Sequence, residues 1–430
     1  MRPHIAAMQH DKTRPPEPKF GLGFKEFVAL IAALMSVNAL SIDPMLPALP
    51  AIGETLGIPH PNDRQWIITS YFIGLGLGSL IYGPLSDRFG RKKVMAIALS
   101  LFLVSTAFCA LSQTFEMMLA SRFACGFFAA SSRVIAVSIV RDRFRGDEMA
   151  RIMSLIFIVF MIVPILAPSF GQAVLLIAPW RWIFGALLIV GSFIVVWMLI
   201  RMPETLDPAN RVEIRVDDLR NTLKAVLTHR GAFGYMLASG VIMGALLGFI
   251  TSVQQIFFDI FHREEIFAIS FAGIAGFMGI GSFLNSHLVE RFGARRLSQG
   301  ALIALILISG GHALYAWAGL ETVYSFIGFQ AATMLSFAFT GSNFGAISME
   351  PFARGAGMAS SFQAGLTTIV SALLGAYIGS QFNGTTLPLA LGFLGYGTLA
   401  LLIVAYAERW KLFTRPGLSS LRSGAAQPPR

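Results

Sequence analysis

Charged residues are scarce in this chain, which excludes an ordinary soluble protein. Asp, Glu, Lys and Arg make up 13% of the 430 residues, whereas soluble proteins contain about 25%. Cysteine is rarer still, because only Cys109 and Cys125 occur, and they form neither a disulfide framework nor a metal-binding spacing. The motifs Gly-x-x-x-x-Gly-Lys-Ser/Thr, His-Glu-x-x-His and Gly-x-Ser-x-Gly are absent. Their absence argues against an ATP-driven protein and against the common hydrolases.

Apolar residues are abundant instead, at 55% of the chain, and they fall into twelve largely charge-free runs. Each run approaches the roughly 20 residues that a helix needs to cross a bilayer. Asn383 and Gly384 divide the last two runs, which otherwise form one uncharged stretch. The sequence therefore predicts an all-α membrane protein in contact with the lipid bilayer. The predicted spans lie near 27–47, 65–83, 94–113, 117–140, 152–177, 182–201, 231–258, 266–289, 297–318, 322–348, 355–382 and 385–407.

Lys and Arg are distributed unevenly between the two sides that such spans create. With a cytoplasmic N-terminus, 28 of the 33 basic residues lie in cytoplasmic segments, and the outer loops hold only Arg64, Arg181 and Arg263. Because basic residues favour the cytoplasmic side, we expect a multi-pass protein of the inner (plasma) membrane with both termini in the cytoplasm. The net charge of +10 is then a topology signal, and no nucleic-acid partner is expected.

A charged loop occurs twice, and this repeat is the most informative pattern in the chain. Residues 83–93 (Gly-Pro-Leu-Ser-Asp-Arg-Phe-Gly-Arg-Lys-Lys) return as residues 286–296, and Glu290 stands 203 positions after Asp87. Both copies lie between two apolar runs, which indicates a membrane transporter built from two parallel repeats. The predicted organisation is a disordered tail (1–23), an N-terminal half (24–202), a cytoplasmic linker (203–229) with a surface helix near 212–227, a C-terminal half (230–410) and a second tail (411–430).

These segments resemble signatures of the major facilitator superfamily. Residues 83–93 resemble its loop between spans two and three, and residues 121–126 resemble its span-four signature. Residues 164–171 resemble the span-five antiporter motif, with Ala-Pro in place of the usual Gly-Pro. The segments 43–50 and 203–206 resemble the bicyclomycin/chloramphenicol resistance (Bcr/CflA) family of drug:proton antiporters. The resemblance covers about residues 25–410.

The resemblance implies a major facilitator fold, with twelve transmembrane helices in two six-helix halves. It also implies export of small-molecule drugs or metabolites in exchange for protons, with the proton gradient in place of a cofactor and with a monomeric protein. A proton-coupled uptake symporter and an exporter of endogenous metabolites are alternatives on the same fold, and the span-five motif weighs against uptake. A polytopic membrane enzyme and a receptor without transport activity are alternatives of other classes. The histidines are scattered along the chain, which argues against the enzyme. Asp43 and the acids of the repeated loop are present, which argues against the receptor.

Three charged residues inside the spans are candidate proton-coupling and substrate residues, because a charge near the bilayer centre is costly. They are Asp43, Arg122 and Arg133. Asp43 either caps an unwound segment before Pro44 or serves as a proton site. At a proton site, burial would favour the protonated carboxyl group, and a nearby Arg122 would favour the charged carboxylate. The resemblance supports the proton site. Arg122 is either a clamp on carbonyl groups of span one or a control on the charge of Asp43.

Arg133 follows Arg122 by 11 residues, which is about 20° beyond three full helical turns and about 16 Å along the axis. Both side chains are therefore expected on the same, inward-facing side of span four. Arg133 is either a structural arginine displaced by one turn from the position of Val137, or a positive charge that lines the cavity.

The repeated loop and span five supply the remaining candidates. By the resemblance, the loop is a gate in which Arg91 reaches Asp142 at the inner end of span four. We expect Asp87 near a helix N-terminus, where an acid is favoured. In span five, Pro164 and Pro168 are expected to kink the helix ahead of Gly171. The predicted gating residues are Gly83, Asp87, Arg88, Gly90, Arg91, Asp142, Glu290, Arg291 and Gly293.

Overall fold

The computed structural model describes residues 22–144, 146–211, 216–352 and 356–414. Most of the two tails predicted at 1–23 and 411–430 lies outside the described residues. Helices account for nearly all of the described secondary structure. The α-helices are α1 (Phe24–Ile42), α2 (Leu49–Thr55), α3 (Trp66–Phe89), α4 (Arg91–Leu111), α5 (Phe115–Arg143), α6 (Gly146–Ile177), α7 (Arg181–Arg201), α8 (Val216–Thr228), α9 (Arg230–Gln255), α10 (Phe267–Phe292), α11 (Ala294–Trp317), α12 (Val323–Met349), α13 (Ala356–Ser380) and α14 (Leu387–Ala407).

The long helices are suited to a bilayer. Within the described residues, eleven of them are long and apolar enough to span a membrane, and α6 adds the shorter apolar segment Ile165–Ile177. Large apolar side chains such as Ile177 and Trp317 are exposed on their outer surfaces. Exposed apolar surface of this extent is stable against lipid and unfavourable in water. The chain is therefore a multi-span membrane protein.

Glycines with positive φ end a helix at equivalent points of the two repeated loops. Gly90 (φ 101°) separates α3 from α4, and Gly293 (φ 83°) separates α10 from α11. Glycine adopts this conformation without the steric cost that a side chain imposes. The predicted division of the last uncharged stretch is also present, because Gly384 (φ 80°) lies between α13 and α14.

Small residues bring α3 and α5 into backbone contact. A Cβ atom on Gly74 or Gly78 would collide with backbone of α5, and one on Gly126 would collide with the Tyr71 carbonyl. Membrane helices associate through such close approaches, because the lipid offers no hydrophobic driving force between helices. The contact fixes the position of Arg122, which lies on α5 one turn before Gly126.

The ends of the helices form two polar layers. We call the layer that contains Arg91 and Arg295 the basic end, and the opposite layer the far end. At the far end, Asn62 donates to the carbonyls of Ser380 (3.2 Å) and Phe382 (2.9 Å). These bonds join the start of α3 to the end of α13, which pack against each other along their length.

Candidate functional site

Asp43 begins a break between α1 and α2. Pro44 and Pro47 follow it in a 3₁₀ turn over Asp43–Ala48. Proline lacks a backbone N–H and therefore interrupts the hydrogen bonding of an α-helix. Asp43 is 7% exposed, and among the described residues its carboxylate has no hydrogen-bond or ion-pair partner. A buried carboxylate without a partner is costly when it is charged, and a bound proton removes that cost.

Helix α6 packs directly on the turn that begins with Asp43. A Cβ atom on Gly171 would overlap the Pro44 carbonyl oxygen, so the two backbones touch. Pro168, one turn earlier on α6, is buried. The side chain of Pro164 lies outside the described residues. The segment that resembles an antiporter motif therefore lies against the Asp43 turn.

Arg122 is almost completely buried, at 1% exposure. Its Nε donates to the Ile67 carbonyl at 3.3 Å, and its Cζ lies 4.5 Å from the ring centroid of Tyr71. Its Nη2 has no hydrogen-bond partner in the described part of the chain. We expected a carbonyl of α1 as a partner, but Ile67 and Tyr71 both belong to α3. The tight glycine packing of α3 on α5 explains this difference, because it places α3 within reach of Arg122.

Tyr71 links Arg122, which stacks on its ring, to a hydrogen-bond network. The Tyr71 hydroxyl donates to Asn38 Oδ1 at 3.0 Å, and Asn38 Nδ2 donates to Ser132 Oγ at 3.1 Å. The network joins α1, α3 and α5. Nothing in the sequence pattern distinguished Tyr71 from other aromatic residues, so sequence reasoning missed it.

Arg133 follows Ser132, the last residue of this network. Its side chain is exposed on the surface of α5. Within the described residues it has no hydrogen-bond or ion-pair partner. Its helical phase matches that of the buried Arg122, which favours the wall of an internal space over a position that faces lipid.

Arg91 is the centre of a charged cluster at the basic end. It starts α4, and its Nε donates to Asp142 Oδ2 at 2.9 Å. It also forms an ion pair with Asp87 and donates to Ser86 Oγ at 2.8 Å. Asp87 was expected at a helix N-terminus, but α3 extends to Phe89, so Asp87 lies in its last turn. That placement puts Asp87 four residues before Arg91, within pairing distance.

Glu204 occupies the helix N-terminus that we expected Asp87 to occupy. Its carboxylate accepts from the backbone N–H groups of Arg91 (2.9 Å) and Lys92 (3.2 Å) in the first turn of α4. It also accepts from the N–H groups of Thr205 and Leu206. A carboxylate is favoured here because the first N–H groups of a helix have no partner within it. Residue 204 lies in a segment that had indicated the family, but no role for it had been predicted.

The comparisons with known proteins agree with this architecture. Residues 29–376 match the family model of the Major Facilitator Superfamily. The chain belongs to this superfamily. The MFS-type transporter YdgK of Bacillus subtilis (strain 168), named as uncharacterized, is 32% identical over 310 residues, or 71% of this chain and 75% of that protein. The bicyclomycin resistance protein homolog of Haemophilus influenzae (strain Rd) is 27% identical over 370 residues, or 84% of this chain and 91% of that protein.

The solved structures give the same fold. The crystal structure of a D-xylose–proton symporter superposes with a TM-score of 0.67 at 14% identity, covering 91% of this chain and 98% of that one. At this identity the likeness concerns the fold alone. The superfamily comprises transporters of small molecules, so this chain is a transporter of a small-molecule substrate.

A second charged cluster of this superfamily transporter lies at the basic end of the later helices. Arg295, in the first turn of α11, forms two hydrogen bonds with Glu350 (2.7 and 3.1 Å) and one with Glu408 (2.7 Å). Tyr235 also donates to Glu408, at 2.9 Å. Glu350 directly follows α12, and Glu408 directly follows α14. In the earlier cluster, Asp142 lies in the last turn of α5, and Glu204 follows α7. The second cluster therefore repeats the arrangement around Arg91.

The loop residues predicted for this second cluster lie beside it. Glu290 and Arg291 are in the last turn of α10, Arg291 stacks on Phe292 at 5.4 Å, and both take part in contacts with other residues. In the first repeat, Arg88 stacks on Phe89 in the same way, at 5.1 Å. Sequence reasoning missed Arg295 as the central residue. Among the described residues, no group of three His, Cys, Asp or Glu side chains could hold a metal ion.

Proposed function

We propose that this transporter exports small-molecule drugs or metabolites in exchange for protons, by alternating access. One observation carries the proposal: the buried carboxylate of Asp43 has no partner in the described residues and lies in a turn on which Gly171 of α6 packs. A proton bound to Asp43 cancels a charge that burial penalises. Movement of α6 against this turn would change the surroundings of Asp43, so substrate binding and proton release can be coupled there.

The names of the relatives support export of drugs. The homologue from Haemophilus influenzae is named for bicyclomycin resistance, and the segments around Asp43 and Glu204 resemble drug:proton antiporters. The driving force is adequate, since moving one charge across the membrane potential releases about 2.3 kcal/mol per 100 mV.

In this proposal, twelve helices form two six-helix halves, at 24–202 and 230–410. The protein lies as a monomer in the inner membrane, and the basic end and both termini face the cytoplasm. The asymmetry of Lys and Arg supports this orientation. α6, which is 32 residues long, supplies the fifth span.

The charged clusters at the basic end would form the cytoplasmic gate. Arg91 ties α4 to the end of α5 through Asp142, and Arg295 ties α11 to the ends of α12 and α14. Each cluster holds the helices of one half together. Rocking of one half against the other can then occur without separation of these ion pairs, which would be most costly for the buried Arg91.

Arg122 and Tyr71 would hold the surroundings of Asp43. Because Arg122 bonds to α3 and stacks on Tyr71, its positive charge stays fixed while α1 and α6 move. Arg133, which has no partner in the described residues, would line the substrate cavity.

Transport in sealed vesicles tests the proposal. A resistance panel in a host without its own pumps would first identify an exported drug. Purified protein in liposomes that contain a pH-sensitive dye should then move protons against that drug. Asp43→Asn keeps the shape of the side chain and removes its titration, so it should fold and lose proton movement. Asp259→Asn, which changes an exposed acid at the far end, is the matched control.

Two results would contradict the proposal. Proton-coupled export that continues unchanged in Asp43→Asn would remove Asp43 from the coupling step. Drug and protons that move in the same direction would make the protein an uptake symporter, the alternative that shares the fold.

A further inference from the structure

Three buried side chains in the later helices carry polar atoms that bond to nothing. Gln254 and Gln330 are 1% and 0% exposed, and among the described residues neither atom of either amide has a hydrogen-bond partner. The hydroxyl of Ser309, 1% exposed, is also without a partner there. A buried donor or acceptor without a partner is destabilising, and native structures contain few. Five such atoms in one region would be satisfied by a small polar ligand.

The packing of aromatic rings places the two glutamines at the same level. Phe257, which follows α9, and Phe326 of α12 have ring centroids 6.0 Å apart. Gln254 precedes Phe257 by about one turn, and Gln330 follows Phe326 by about one turn. Because α9 and α12 run in opposite directions, each glutamine lies about one turn further from the far end than its phenylalanine. Gln254 and Gln330 therefore lie at about the same level of two helices that pack against each other.

Ser309 reaches this level from α11. The ring of His312 stacks on Phe329 of α12 at 4.9 Å, and it lies 5.9 Å from Phe326. Ser309 precedes His312 by about one turn on α11, and Gln330 follows Phe329 directly on α12. The three unpartnered side chains thus lie at about the same level of α9, α11 and α12, and α12 packs against both of the others.

A local change in helix geometry begins next to this cluster. The chain forms a π-helical turn over Ile256–Ile260, in which the N–H of Phe261 donates to the Ile256 carbonyl at 3.1 Å. π turns are rare and occur mostly at functional sites. Gln255, between Gln254 and this turn, accepts a hydrogen bond of 2.7 Å from Gln65 of the N-terminal part of the chain.

A buried ionisable pair lies beside the cluster. His312 Nε2 and Glu321 Oε1 are 2.6 Å apart, with side chains 1% and 8% exposed. Thr386, at the start of α14, donates to the other oxygen of Glu321. Burial penalises such a pair whenever it is charged, so a neighbouring polar ligand would stabilise it.

We propose that Gln254, Gln330 and Ser309 form an internal hydration site, in which a small cluster of water molecules lies beside the His312–Glu321 pair. Each amide offers both a donor and an acceptor, and water both donates and accepts. Buried water typically makes two to four such bonds, which matches a site of five polar atoms. A cation does not fit, because it would leave both amide nitrogens without acceptors. The site does not depend on the direction or the coupling of transport.

The sign of a stability change tests the proposal. Gln254→Met and Gln330→Met remove the amide at nearly constant side-chain volume, and Tm is measured on the full-length protein in lipid nanodiscs. If water fills the site, each variant lowers Tm, because it removes bonds to water and leaves the water with fewer partners. The double variant should then lower Tm by less than the two separate shifts combined, because the two amides share water. If the site is dry, each variant raises Tm, because it removes an unsatisfied amide.

Gln299→Met is the matched control for this measurement. Gln299 is equally buried, but its amide bonds to Tyr235 and to the N–H of Phe413. Its loss should lower Tm, which shows that the assay detects a lost buried amide. A Tm that is unchanged or raised in both Gln254→Met and Gln330→Met, while Gln299→Met lowers it, overturns the proposal.

Radiolytic footprinting detects the water directly, because X-rays convert bound water into hydroxyl radicals that modify adjacent side chains. Phe326 is fully buried next to the proposed site, so we expect it to be modified several-fold faster than Phe102, which is equally buried in α4. Modification of Phe326 at the rate of Phe102 would show that no water is bound there and would overturn the proposal.

Discussion

The guanidinium of Arg122 lies over the ring of Tyr71, with its Cζ 4.5 Å from the ring centroid. The contact replaces the ion pair with Asp43 that the sequence had made plausible. Asp43 is left without a partner in the described residues. Burial therefore penalises the charged form of its carboxylate, and a bound proton removes that penalty.

The two contacts of Tyr71 can be separated by substitution. Tyr71→Phe keeps the ring beneath Arg122 and loses the hydrogen bond to Asn38, so it should cost about 1 kcal/mol of stability. Tyr71→Leu also loses the cation–π contact, which is worth about 2 kcal/mol when desolvated, and should cost clearly more. Thermal unfolding in detergent measures both. Equal losses for the two variants would mean that Arg122 gains nothing from the ring.

The proposed orientation is tested by reporter fusions. Alkaline phosphatase, which is active only outside the cytoplasm, should be active when fused after Arg64 or Arg263, because the basic residues place these loops outside. A fusion after Arg220, in α8, should be inactive. The reverse pattern would contradict the proposed topology.

The pair of Arg91 and Asp142 should show a charge-swap effect. Arg91 is 3% exposed and bonds to Asp142 at 2.9 Å, and removal of one partner of such a pair costs about 3–5 kcal/mol. The double variant Arg91→Asp with Asp142→Arg should recover more transport than either single variant. Recovery should be partial, because the reversed pair leaves Asp87 beside a negative charge. A double variant no better than the single ones would argue against direct pairing.

Glu204 should stabilise the fold as a helix cap. Its carboxylate accepts from the first N–H groups of α4, so Glu204→Gln should lower stability by about 1–2 kcal/mol. Asp207→Asn is the control, since Asp207 accepts a single bond, from Ala209, in an exposed short turn. Its effect should be within about 0.5 kcal/mol. Similar Tm shifts in the two variants would contradict the special role of Glu204.

The helices and much of the Arg91 cluster could be predicted because they depend on local patterns. Long apolar runs require helices in a bilayer, and opposite charges at neighbouring span ends indicate pairing of Arg91 with Asp142. Arg295 was missed because the 203-residue offset aligns Arg91 with Ala294. The second cluster therefore uses the next position along the helix. A repeat in sequence conserves the helix start but not the residue that makes each contact.

The partners of Arg122 were harder to predict, because they depend on how closely two helices approach. The glycines of α3 and α5 allow the two helices to pack closely, and this packing brings α3 against Arg122. Nothing in a sequence specifies which carbonyl or ring then lies nearest. The same limit applies to Gln254 and Gln330, whose lack of partners becomes visible only in three dimensions.

Arg133 should select substrates by charge. Its side chain is exposed and has no partner in the described residues. Asp142, the acid nearest to it along the chain, is bonded to Arg91 and Thr205. A cation in the cavity attracts an anion about 4 Å away by about 4 kcal/mol at an effective dielectric constant near 20, before desolvation. We therefore expect neutral, zwitterionic or anionic substrates to be preferred over lipophilic cations.

Paired substrates of similar size and opposite charge test this selection. Arg133→Ala should raise the export of the cation relative to the anion, and Arg133→Lys should keep the original preference because it keeps the charge. A general loss of transport in both variants, with the ratio unchanged, would instead assign Arg133 a structural role. The ratio is the informative quantity, because a damaged fold lowers both rates together, whereas a lost charge moves them in opposite directions.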